Sequence, residues 1–365
     1  MEFAPQALID HAALRHNLRL ARQATDTSKT WAVIKADGYG HGLFRVAEAL
    51  DEADGFAVAR LDEAMALRQQ GVVKPLLVLS ACISRSDFEQ AIYADLQVVV
   101  HHRDQLDVLE SLSSTGQRLS VWLKLDSGMH RLGFTPAELN DSLAQLKTLP
   151  VVGDINLLSH LANGDDPDDP MTATQCEQLM QIDPSPYTAR SLANSAGLLA
   201  NPATHLDWVR PGIMLYGASP FINTTAAQLG LQPVMTLSSR VMAVKSCQAG
   251  DAIGYGGSYV CPEAMPVAVV AIGYGDGYPR HAPNGTPVLV NGVRLPLVGR
   301  VSMDMLCVDA RALNGIQVGD EAVLWGGELP VEEIARQAGT IAYELLCGVK
   351  RRVRFHDLNR QQLEG

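Results

Sequence analysis

The stretch of this sequence best suited to chemistry is a lysine followed by three glycines. Residues 31–35 form a short run of mostly β-branched and aromatic side chains that ends in Lys35, and glycines follow at positions 38, 40 and 42. The run predicts a buried strand, and burial at the end of such a strand lowers the pKa of a lysine amine. A neutral amine attacks carbonyl carbons, which is how lysines form Schiff bases.

The glycines after Lys35 predict a loop that binds phosphate. Because glycine has no side chain, its backbone N–H can approach an anion closely. An amine nucleophile beside such a loop indicates pyridoxal 5′-phosphate (PLP) as a cofactor. The same stretch also fits a lysine that extends to the surface before an ordinary turn, and by itself it leaves both interpretations open.

Composition argues against several classes of protein. The 365 residues carry 29 basic and 40 acidic side chains, a net charge of −11, whereas nucleic-acid binding needs clustered cations. We find neither a signal-peptide pattern at the N-terminus nor an apolar run of membrane-spanning length. The six cysteines lie far apart without a CxxC pair, which is typical of a reduced cytoplasmic enzyme without disulfides or bound metal. We therefore expect a cytoplasmic protein that binds neither nucleic acid nor membranes.

The first two thirds of the sequence alternate short apolar runs with amphipathic helical stretches. Eight runs are candidate strands, at 31–35, 56–60, 76–80, 97–101, 119–125, 154–160, 188–193 and 208–216. Eight strands separated by helices predict an α/β fold of the (β/α)8 TIM-barrel type, in preference to a doubly wound open sheet.

The pattern changes after about residue 220. Strand-like runs with glycine-rich turns follow at 236–246, 266–272, 287–290 and 303–309, with two helices at 331–337 and 342–348 and a last strand at 350–355. We therefore assign residues 11–225 to the barrel and 226–365 to a mainly β C-terminal domain. The sequence leaves open whether the N-terminal segment 1–10 returns to join the β domain.

In a barrel of this kind, chemistry lies at the carboxyl ends of the strands. Five of the eight predicted strands end in suitable residues: Lys35, the segment 126–131, Ser159 with His160, Asn194 with Ser195, and Arg210 with Gly212. Each has an ordinary explanation when taken alone, such as a surface arginine or a buried histidine. Together they predict a nucleophile, two arginines, a histidine and a serine around one barrel opening.

Six motifs, in this order, resemble those of the bacterial alanine racemase family. They are residues 33–42, 126–133, 210–213, 254–256, 272–278 and 299–304. The resemblance extends from about residue 7 to the last predicted strand, and the three motifs after residue 250 distinguish it from related PLP barrels. It implies a barrel followed by a β domain, PLP as the cofactor, and interconversion of L-alanine and D-alanine to supply peptidoglycan synthesis.

The resemblance also implies two catalytic groups on opposite faces of the cofactor. Lys35 would hold PLP covalently and transfer one proton, and Tyr255 would transfer the other. Racemisation needs two such groups, because one removes the α-proton and the other returns a proton from the far side. A hydrogen-bonded chain from Tyr255 through His160 to Arg210 would favour the phenolate form of the tyrosine.

Further roles follow from the resemblance for the cofactor and the substrate. Arg210 would face the pyridine nitrogen and keep it neutral, which disfavours transamination. Arg131 would contact the phenolic oxygen of PLP and the substrate carboxylate. The other implied contacts are Tyr39, His160, Asn194, Ser195, Gly212, Ile213 and Tyr343 for the cofactor, and Tyr274, Met303 and Asp304 for the substrate.

Lys124 lies on the same predicted strand that leads to Arg131, and two cations at one opening repel each other. The resemblance implies that Lys124 is carbamylated, which would make its charge negative; a bound anion is the alternative. It further implies a homodimer, in which Tyr255 and the three substrate residues from one chain's β domain complete the barrel site of the other.

Other interpretations remain for comparison. A racemase of broader amino-acid specificity would share this fold, and a PLP carrier would need only the barrel. A PLP decarboxylase of similar architecture would use a cysteine proton donor and a carboxylate at the pyridine nitrogen, which Tyr255 and Arg210 oppose. The acidic residues between 165 and 169 resemble calcium ligands, but prolines interrupt them, so we predict a solvated loop and no metal site.

Overall fold

The first two elements of the chain belong to different parts of the fold. A computed structural model describes residues 3–25, 27–112 and 116–360. In it, β1 (Gln6–Asp10) leads directly into α1 (His11–Gln23). The Asp10 carboxylate accepts hydrogen bonds from the N–H groups of Ala12 and Ala13 at 2.8 and 3.3 Å. Asp10 therefore ends the strand and caps the helix, in agreement with its preference for N-cap positions.

Eight parallel strands then close into a barrel. They are β2 (Lys29–Val33), β3 (Gly55–Arg60), β4 (Leu76–Ala81), β5 (Gln97–Val100), β6 (Leu119–Lys124), β7 (Val152–Leu158), β8 (Arg190–Ser191) and β9 (Trp208–Val209). Each strand pairs with the next along the chain, and β9 returns to pair with β2. The predicted (β/α)8 barrel is confirmed.

Helical segments connect these strands. They are α2 (Lys35–Tyr39), α3 (Leu43–Ala49), α4 (Leu61–Gln69), α5 (Arg85–Tyr93), α6 (Arg103–Glu110), α7 (Pro136–Thr148), α8 (Met171–Met180) and α9 (Ser195–Ala200). Capping residues set several of their starts. The hydroxyl of Ser84 accepts from the N–H of Asp87 at α5, and that of Thr135 accepts from the N–H of Glu138 at α7.

Tryptophans fill the inside of the barrel. Trp31 on β2 reaches Trp122 on the opposite wall, with ring centroids 6.3 Å apart, and stacks on Trp208 of β9 at 4.3 Å. Trp31 and Trp122 are almost completely buried. Because aromatic side chains bury large apolar areas, this cluster closes the barrel below the strand ends where chemistry is expected.

The second part of the chain is mainly β. Its strands are β10 (Met235–Cys247), β11 (Ala252–Ile253), β12 (Tyr259–Val260), β13 (Met265–Val270), β14 (Pro287–Val290), β15 (Val293–Pro296), β16 (Leu306–Asp309), β17 (Glu321–Trp325) and β18 (Arg354–Leu358). Two helices, α10 (Val331–Gln337) and α11 (Ala342–Gly348), precede β18.

The strand β1 is built into this second sheet. It pairs antiparallel with β10 and parallel with β18, in the order β15-β14-β17-β10-β1-β18. The segment at 6–10 therefore supplies a strand to the β part, while α1, which follows it, packs on the barrel side. Residues 1 and 2 of the predicted N-terminal segment and residues 361–365 of the predicted β domain lie outside the described residues.

The structure shortens two predicted strands. The runs at 188–193 and 208–216 reduce to the two-residue strands β8 and β9, and Ile213–Tyr216 forms a 3-10 turn. The residues of this turn are apolar because they are buried, although their backbone is not extended. The Leu215 carbonyl accepts a hydrogen bond from the Asn17 side-chain amide of α1. A short apolar run fits a buried turn and a buried strand equally well.

The barrel and the second part are in close contact at Gly40. Its φ is +79°, and a Cβ there would lie 2.2 Å from the carbonyl oxygen of Leu346 on α11. Only glycine combines this left-handed backbone with so near a neighbour.

Replacing Gly40 should therefore weaken the fold. We expect Gly40→Ala to lower the free energy of unfolding by about 2–4 kcal/mol, from the left-handed backbone and the overlap with Leu346 together. The matched control is Gly339→Ala, where φ is +67° but nothing lies within 4 Å of the added carbon. It should cost only about 1 kcal/mol. Urea denaturation of both variants measures the difference, and equal losses would contradict the close approach.

Candidate active site

The carboxyl ends of the barrel strands surround a cavity of about 520 Å³. Eleven of the predicted site residues line it: Lys35, Tyr39, Lys124, Arg131, His160, Asn194, Ser195, Arg210, Gly212, Ile213 and Tyr343. They lie at the end of β6, in the segments that follow β2, β6, β7, β8 and β9, and on α11 of the second part. The cavity thus has the position at which barrel enzymes carry their active sites.

A left-handed turn follows Lys35. Ala36, Asp37, Gly38 and Tyr39 have φ values of 54°, 55°, 61° and 51°. Non-glycine residues in this region cost about 1–2 kcal/mol each, so other contacts must hold the turn. The Asp37 carboxylate accepts from the Leu43 N–H at 2.7 Å, and His41 Nδ1 lies 2.9 Å from the Tyr39 carbonyl oxygen.

The three glycines of this segment do not form the predicted phosphate loop. None of them lines the cavity. A Cβ at Gly38 would lie 2.8 Å from Val46, and one at Gly42 would lie 2.6 Å from Arg45, so these glycines pack against protein atoms as Gly40 does. Their small size serves the turn itself. The spacing of glycines in a sequence cannot show what each one faces.

Lys35 is half-buried beside other cations. Burial is the main cause that lowers the pKa of its amine, and Arg131 and Arg210 lower it further, while Cys347 and Glu63 act in the opposite direction. A lowered pKa increases the fraction of neutral amine at a given pH. Lys35 therefore has the property that a nucleophilic lysine needs.

Lys124 is the last residue of β6 and is buried in the cavity wall. Burial lowers the pKa of its amine to about 8, and the charges of Arg210 and Arg131 contribute in the same direction. Asp126 opposes these effects. Four basic side chains, those of Lys35, Lys124, Arg131 and Arg210, consequently share one cavity.

Arg210 is held by acceptors below the cavity. Its Nη2 donates to the carbonyl oxygens of Ser159 and Leu192 at 2.6 and 3.1 Å, and its Nη1 donates to the hydroxyl of Ser191. Burial lowers its pKa to about 10, which leaves the guanidinium charged at neutral pH. Its Nε makes no hydrogen bond within the described part of the chain, so one donor remains for a bound molecule.

The imidazole of His160 lies beside Arg210. Nη2 of Arg210 is 3.4 Å from Nδ1 of His160, and because a guanidinium can only donate, Nδ1 must be the acceptor. Burial, followed by the charge of Arg210, holds the pKa of His160 well below its usual value. His160 is therefore neutral, with its proton on Nε2.

The side of the cavity formed after β8 and β9 is suited to an anion. The Ser195 hydroxyl accepts from the Gly212 N–H at 2.8 Å, and the N–H of Ile213 has no acceptor among the described residues. A Cβ at Gly212 would lie 2.6 Å from the Tyr39 hydroxyl, so the glycine leaves room for that hydroxyl. Burial raises the pKa of Tyr343 to about 12, which keeps it a hydrogen-bond donor. Phosphate sites in barrels commonly form at this position.

Sequence reasoning missed part of the lining. The structure adds Val33, Ala36, Ala59, Leu79, Ser80, Leu132, Leu158 and Cys347. Ala59, Leu79 and Ser80 lie at or near the ends of β3 and β4, so the strand-end rule would have found them if it had been applied to every strand. Cys347 comes from α11 and lies four residues after Tyr343, a predicted cofactor contact, so the helical spacing from Tyr343 could have found it.

Four predicted residues do not line this cavity: Tyr255, Tyr274, Met303 and Asp304. They share one surface of the second part, which we call the Tyr255 face. The Tyr274 N–H donates to the Ser302 carbonyl at 3.0 Å, and the turn around Tyr255 adjoins Arg300. Tyr255 is 68% exposed and Met303 is 52% exposed. Within one chain, the barrel cavity and the Tyr255 face are therefore separate.

Two family models together match most of the chain. That of the alanine racemase N-terminal domain matches residues 9–220, and that of the C-terminal domain matches residues 234–356. This chain belongs to the alanine racemase family. The predicted enzyme class, an isomerase that racemises an amino acid, is confirmed at this level. Among the described residues, this alanine racemase family member has no helix long and apolar enough to span a membrane and no acidic, histidine or cysteine cluster arranged to hold a metal ion.

Individual relatives match nearly the whole length of this family member. The alanine racemase of Nitrosococcus oceani is 53% identical over 350 residues, which cover 96% of this chain and 98% of the relative. That of Halorhodospira halophila is 50% identical over 365 residues and covers both chains completely. The crystal structure of the biosynthetic alanine racemase from Pseudomonas aeruginosa has a TM-score of 0.94 at 44% identity, covering 98% of this chain and 100% of that one.

The burial of Lys124 predicts a pH dependence of stability. Its pKa is lower in the folded chain than in the unfolded one, so between about pH 8 and 10 the unfolded state binds more protons and stability rises with pH. Lys124→Met nearly keeps the length of the side chain but removes the amine. The increase in the free energy of unfolding between about pH 8 and 10 should therefore be about 1–3 kcal/mol smaller in this variant. Urea denaturation across this pH range in carbon-dioxide-free buffer measures it. Parallel profiles for both proteins would contradict the buried amine.

Proposed function

We propose that this protein interconverts L-alanine and D-alanine with PLP bound in the barrel cavity. The observation that carries the proposal is one cavity with Lys35, whose pKa is lowered, and the anion-binding side around Gly212 and Ile213. An amine nucleophile and a phosphate site in one cavity fit PLP, and membership of the alanine racemase family supports the reaction. When bound, PLP withdraws electrons from the α-carbon of an attached amino acid and so weakens its C–H bond.

Different residues around the cavity would hold different parts of the cofactor. Lys35 would hold it covalently through its amine, and Tyr39, Ser195, Tyr343 and the backbone N–H groups after Arg210 would bind its phosphate. Of these, the free N–H of Ile213 and the space beside Gly212 fit a phosphate oxygen most directly. Asn194, which lines the cavity next to Ser195, and His160 complete the surroundings of the ring.

Arg210 restricts the chemistry of the cofactor ring. Its unused Nε can donate to the pyridine nitrogen, and because the guanidinium stays charged at neutral pH, it does not pass a proton to that nitrogen. Arg210 would thereby keep the ring nitrogen neutral, and a neutral nitrogen withdraws electrons less strongly than a protonated one. Such a ring would favour racemisation over transamination.

Tyr255 acts as the second proton-transfer group. A phenol has a pKa near 10 in water, so its anion needs support to act as a base. The neutral His160 carries its proton on Nε2 and can donate it to a phenolate oxygen, while Arg210 anchors Nδ1. His160, held by Arg210, can thus stabilise the phenolate from the barrel side. Because Tyr255 does not line the cavity of its own chain, a second chain has to supply it.

We infer that the partner subunit of a homodimer supplies it. The Tyr255 face is exposed and lies apart from the cavity of its own chain, as a shared site requires. Met303, whose N–H has no acceptor among the described residues, and Arg131 would then bind the substrate carboxylate from opposite sides. Asp304 would lie next to them. Tyr274 and Tyr343 would narrow the site, which suits a side chain no larger than methyl.

Lys124 has the chemistry for carbamylation. Its neutral amine attacks the carbon of CO₂: an N–C bond forms, one C=O π bond breaks and leaves its electron pair on oxygen, and a proton passes from the nitrogen to water. The product is an anion beside Arg131. Added bicarbonate should then raise the stability of the wild-type protein and leave Lys124→Met unchanged. An equal response of both proteins, or the unmodified mass in native mass spectrometry, would remove this proposal.

We further infer that the product serves peptidoglycan synthesis in the cytoplasm. All six cysteines are free thiols, as a reducing compartment favours. The similar protein from Pseudomonas aeruginosa is named biosynthetic. Growth of a deletion strain without added D-alanine would contradict the biosynthetic role.

The reaction can be followed directly. In D₂O, the PLP-loaded protein should replace the α-proton of L-alanine with deuterium and produce D-alanine, measured by proton NMR and chiral chromatography. Lys35→Ala and Tyr255→Phe should each slow racemisation by about 100- to 10,000-fold, the range of a lost proton-transfer group. The control is Tyr93→Phe, a tyrosine 83% exposed on α5.

Each alternative has its own outcome in this experiment. Exchange without inversion would count against Tyr255 as the second group. Exchange that is faster with other amino acids would indicate a broader racemase, and no exchange with any amino acid would indicate a carrier.

Mixing two inactive variants tests the shared site. In mixed dimers of Lys35→Ala with Tyr255→Phe, one site would combine both substitutions and the other would be intact. Activity should return to about a quarter of the wild-type value, since half of the dimers are mixed and each has one good site. No recovery, although native mass spectrometry shows mixed dimers, would mean that each chain completes its own site.

A further inference from the structure

We propose that Glu63 is a positioning residue that holds Lys35 in place through the backbone of the next residue. The inference rests on the proposed role of Lys35. Glu63 lies in the first turn of α4, outside the motifs that connect this chain to its family, and it does not line the cavity.

One carboxylate connects two neighbouring strands of the barrel. Its Oε1 accepts a hydrogen bond from the N–H of Ala36 at 2.7 Å. Its Oε2 accepts from the N–H groups of Ala59 and Arg60 at 3.0 and 3.1 Å, where β3 ends. Glu63 thus joins the segment that follows β2 to the end of β3, and both oxygens are in use.

The first of these bonds satisfies a donor that the turn itself leaves open. Gly38 donates to Ile34 and Gly40 donates to Ala36 within the left-handed turn, but the N–H of Ala36 precedes this pattern. The first N–H groups of any helical turn lack such a partner. A hydrogen bond to a charged acceptor is stronger than one to a neutral group, which suits the start of a turn with unfavourable φ values.

The negative charge of Glu63 also acts on the Lys35 amine and raises its pKa. Among the groups that act by charge on the Lys35 amine, Arg131 and Arg210 lower its pKa, whereas Cys347 and Glu63 raise it. Removing the charge of Glu63 from an otherwise intact site should therefore lower the pKa of Lys35 further. Opening of the site would have the reverse effect, because water would restore the ordinary high value.

Glu63→Gln separates these possibilities. The amide has one oxygen, so it can accept on one side only and presents N–H groups to the donors on the other. We expect kcat to fall about 10- to 100-fold with little change in KM for alanine, since a lost charged hydrogen bond has about that size. In the PLP-loaded enzyme, the N–H of Ala36 should exchange with D₂O at least about tenfold faster.

The matched control is Asp62→Asn. Asp62 is the preceding residue in the same helical turn, but it is exposed, and within the described part of the chain its carboxylate pairs only with the exposed Arg60. It should change neither kcat nor Ala36 exchange. Glu63→Asp keeps the charge but shortens the side chain, so it should increase Ala36 exchange without lowering the pKa of Lys35. This variant also tests the proposal if Glu63→Gln folds poorly.

A readout independent of racemisation completes the test. In cofactor-free protein, the rate at which a small amine reagent labels Lys35 as a function of pH gives the pKa of its amine. A lower pKa in Glu63→Gln than in the wild type supports the proposal. A higher pKa, or wild-type kcat together with wild-type Ala36 exchange, would overturn it. If the wild-type protein does not act on alanine, exchange and labelling still report on Glu63, so the two failures can be told apart.

Discussion

Four basic side chains concentrated around one largely buried cavity constrain the rest of the site. Lys35, Lys124, Arg131 and Arg210 repel one another, and burial adds the cost of removing their charges from water. Burial lowers the pKa values of three of these groups, with different results. Arg210 stays charged because its pKa falls only to about 10, whereas the lowered pKa values of the two lysines increase their neutral fractions. Burial, followed by the charge of Arg210, also keeps His160 neutral. A cavity of this kind is suited to molecules that carry phosphate and carboxylate groups.

The backbone that presents these cations is held by few, specific contacts. The left-handed turn after Lys35 contains three non-glycine residues with positive φ, and Asp37, His41 and Glu63 bind its ends and its carbonyl groups. On its outer side, Gly40 touches α11, the helix that also brings Tyr343 to the cavity. The position of the lysine and the wall opposite it therefore depend on one local packing arrangement, which couples the barrel to the second part of the chain.

Much of this could be predicted from local patterns, and the exceptions have physical causes. Apolar periodicity predicted eight barrel strands and both helices at 331–348. Burial requires apolar residues at regular intervals and helix starts favour particular residue types, so both are visible in the sequence. The same rule extended β9 into the buried turn at Ile213–Tyr216, since burial alone does not distinguish strand from turn. The left-handed turn was not predicted because Ala36 and Asp37 adopt it through contacts distant in sequence. Cys347 was missed although it lies four residues after Tyr343 on α11. That Tyr255 lies apart from the cavity of its own chain follows from no local pattern, and only the family resemblance implied it.

The path of β1 bears on how the chain can be divided. This strand lies between β10 and β18, so the sheet of the second part contains a central strand made of residues 6–10. A fragment that begins at the apparent domain boundary near residue 225 would lack it. The backbone N–H and C=O groups of β10 and β18 that face β1 would then form open sheet edges, which recruit strands from other molecules. The two parts differ in sequence pattern, but the sheet of the second part is complete only when the N-terminal strand β1 is present. The barrel and the second part therefore have to fold together as one chain.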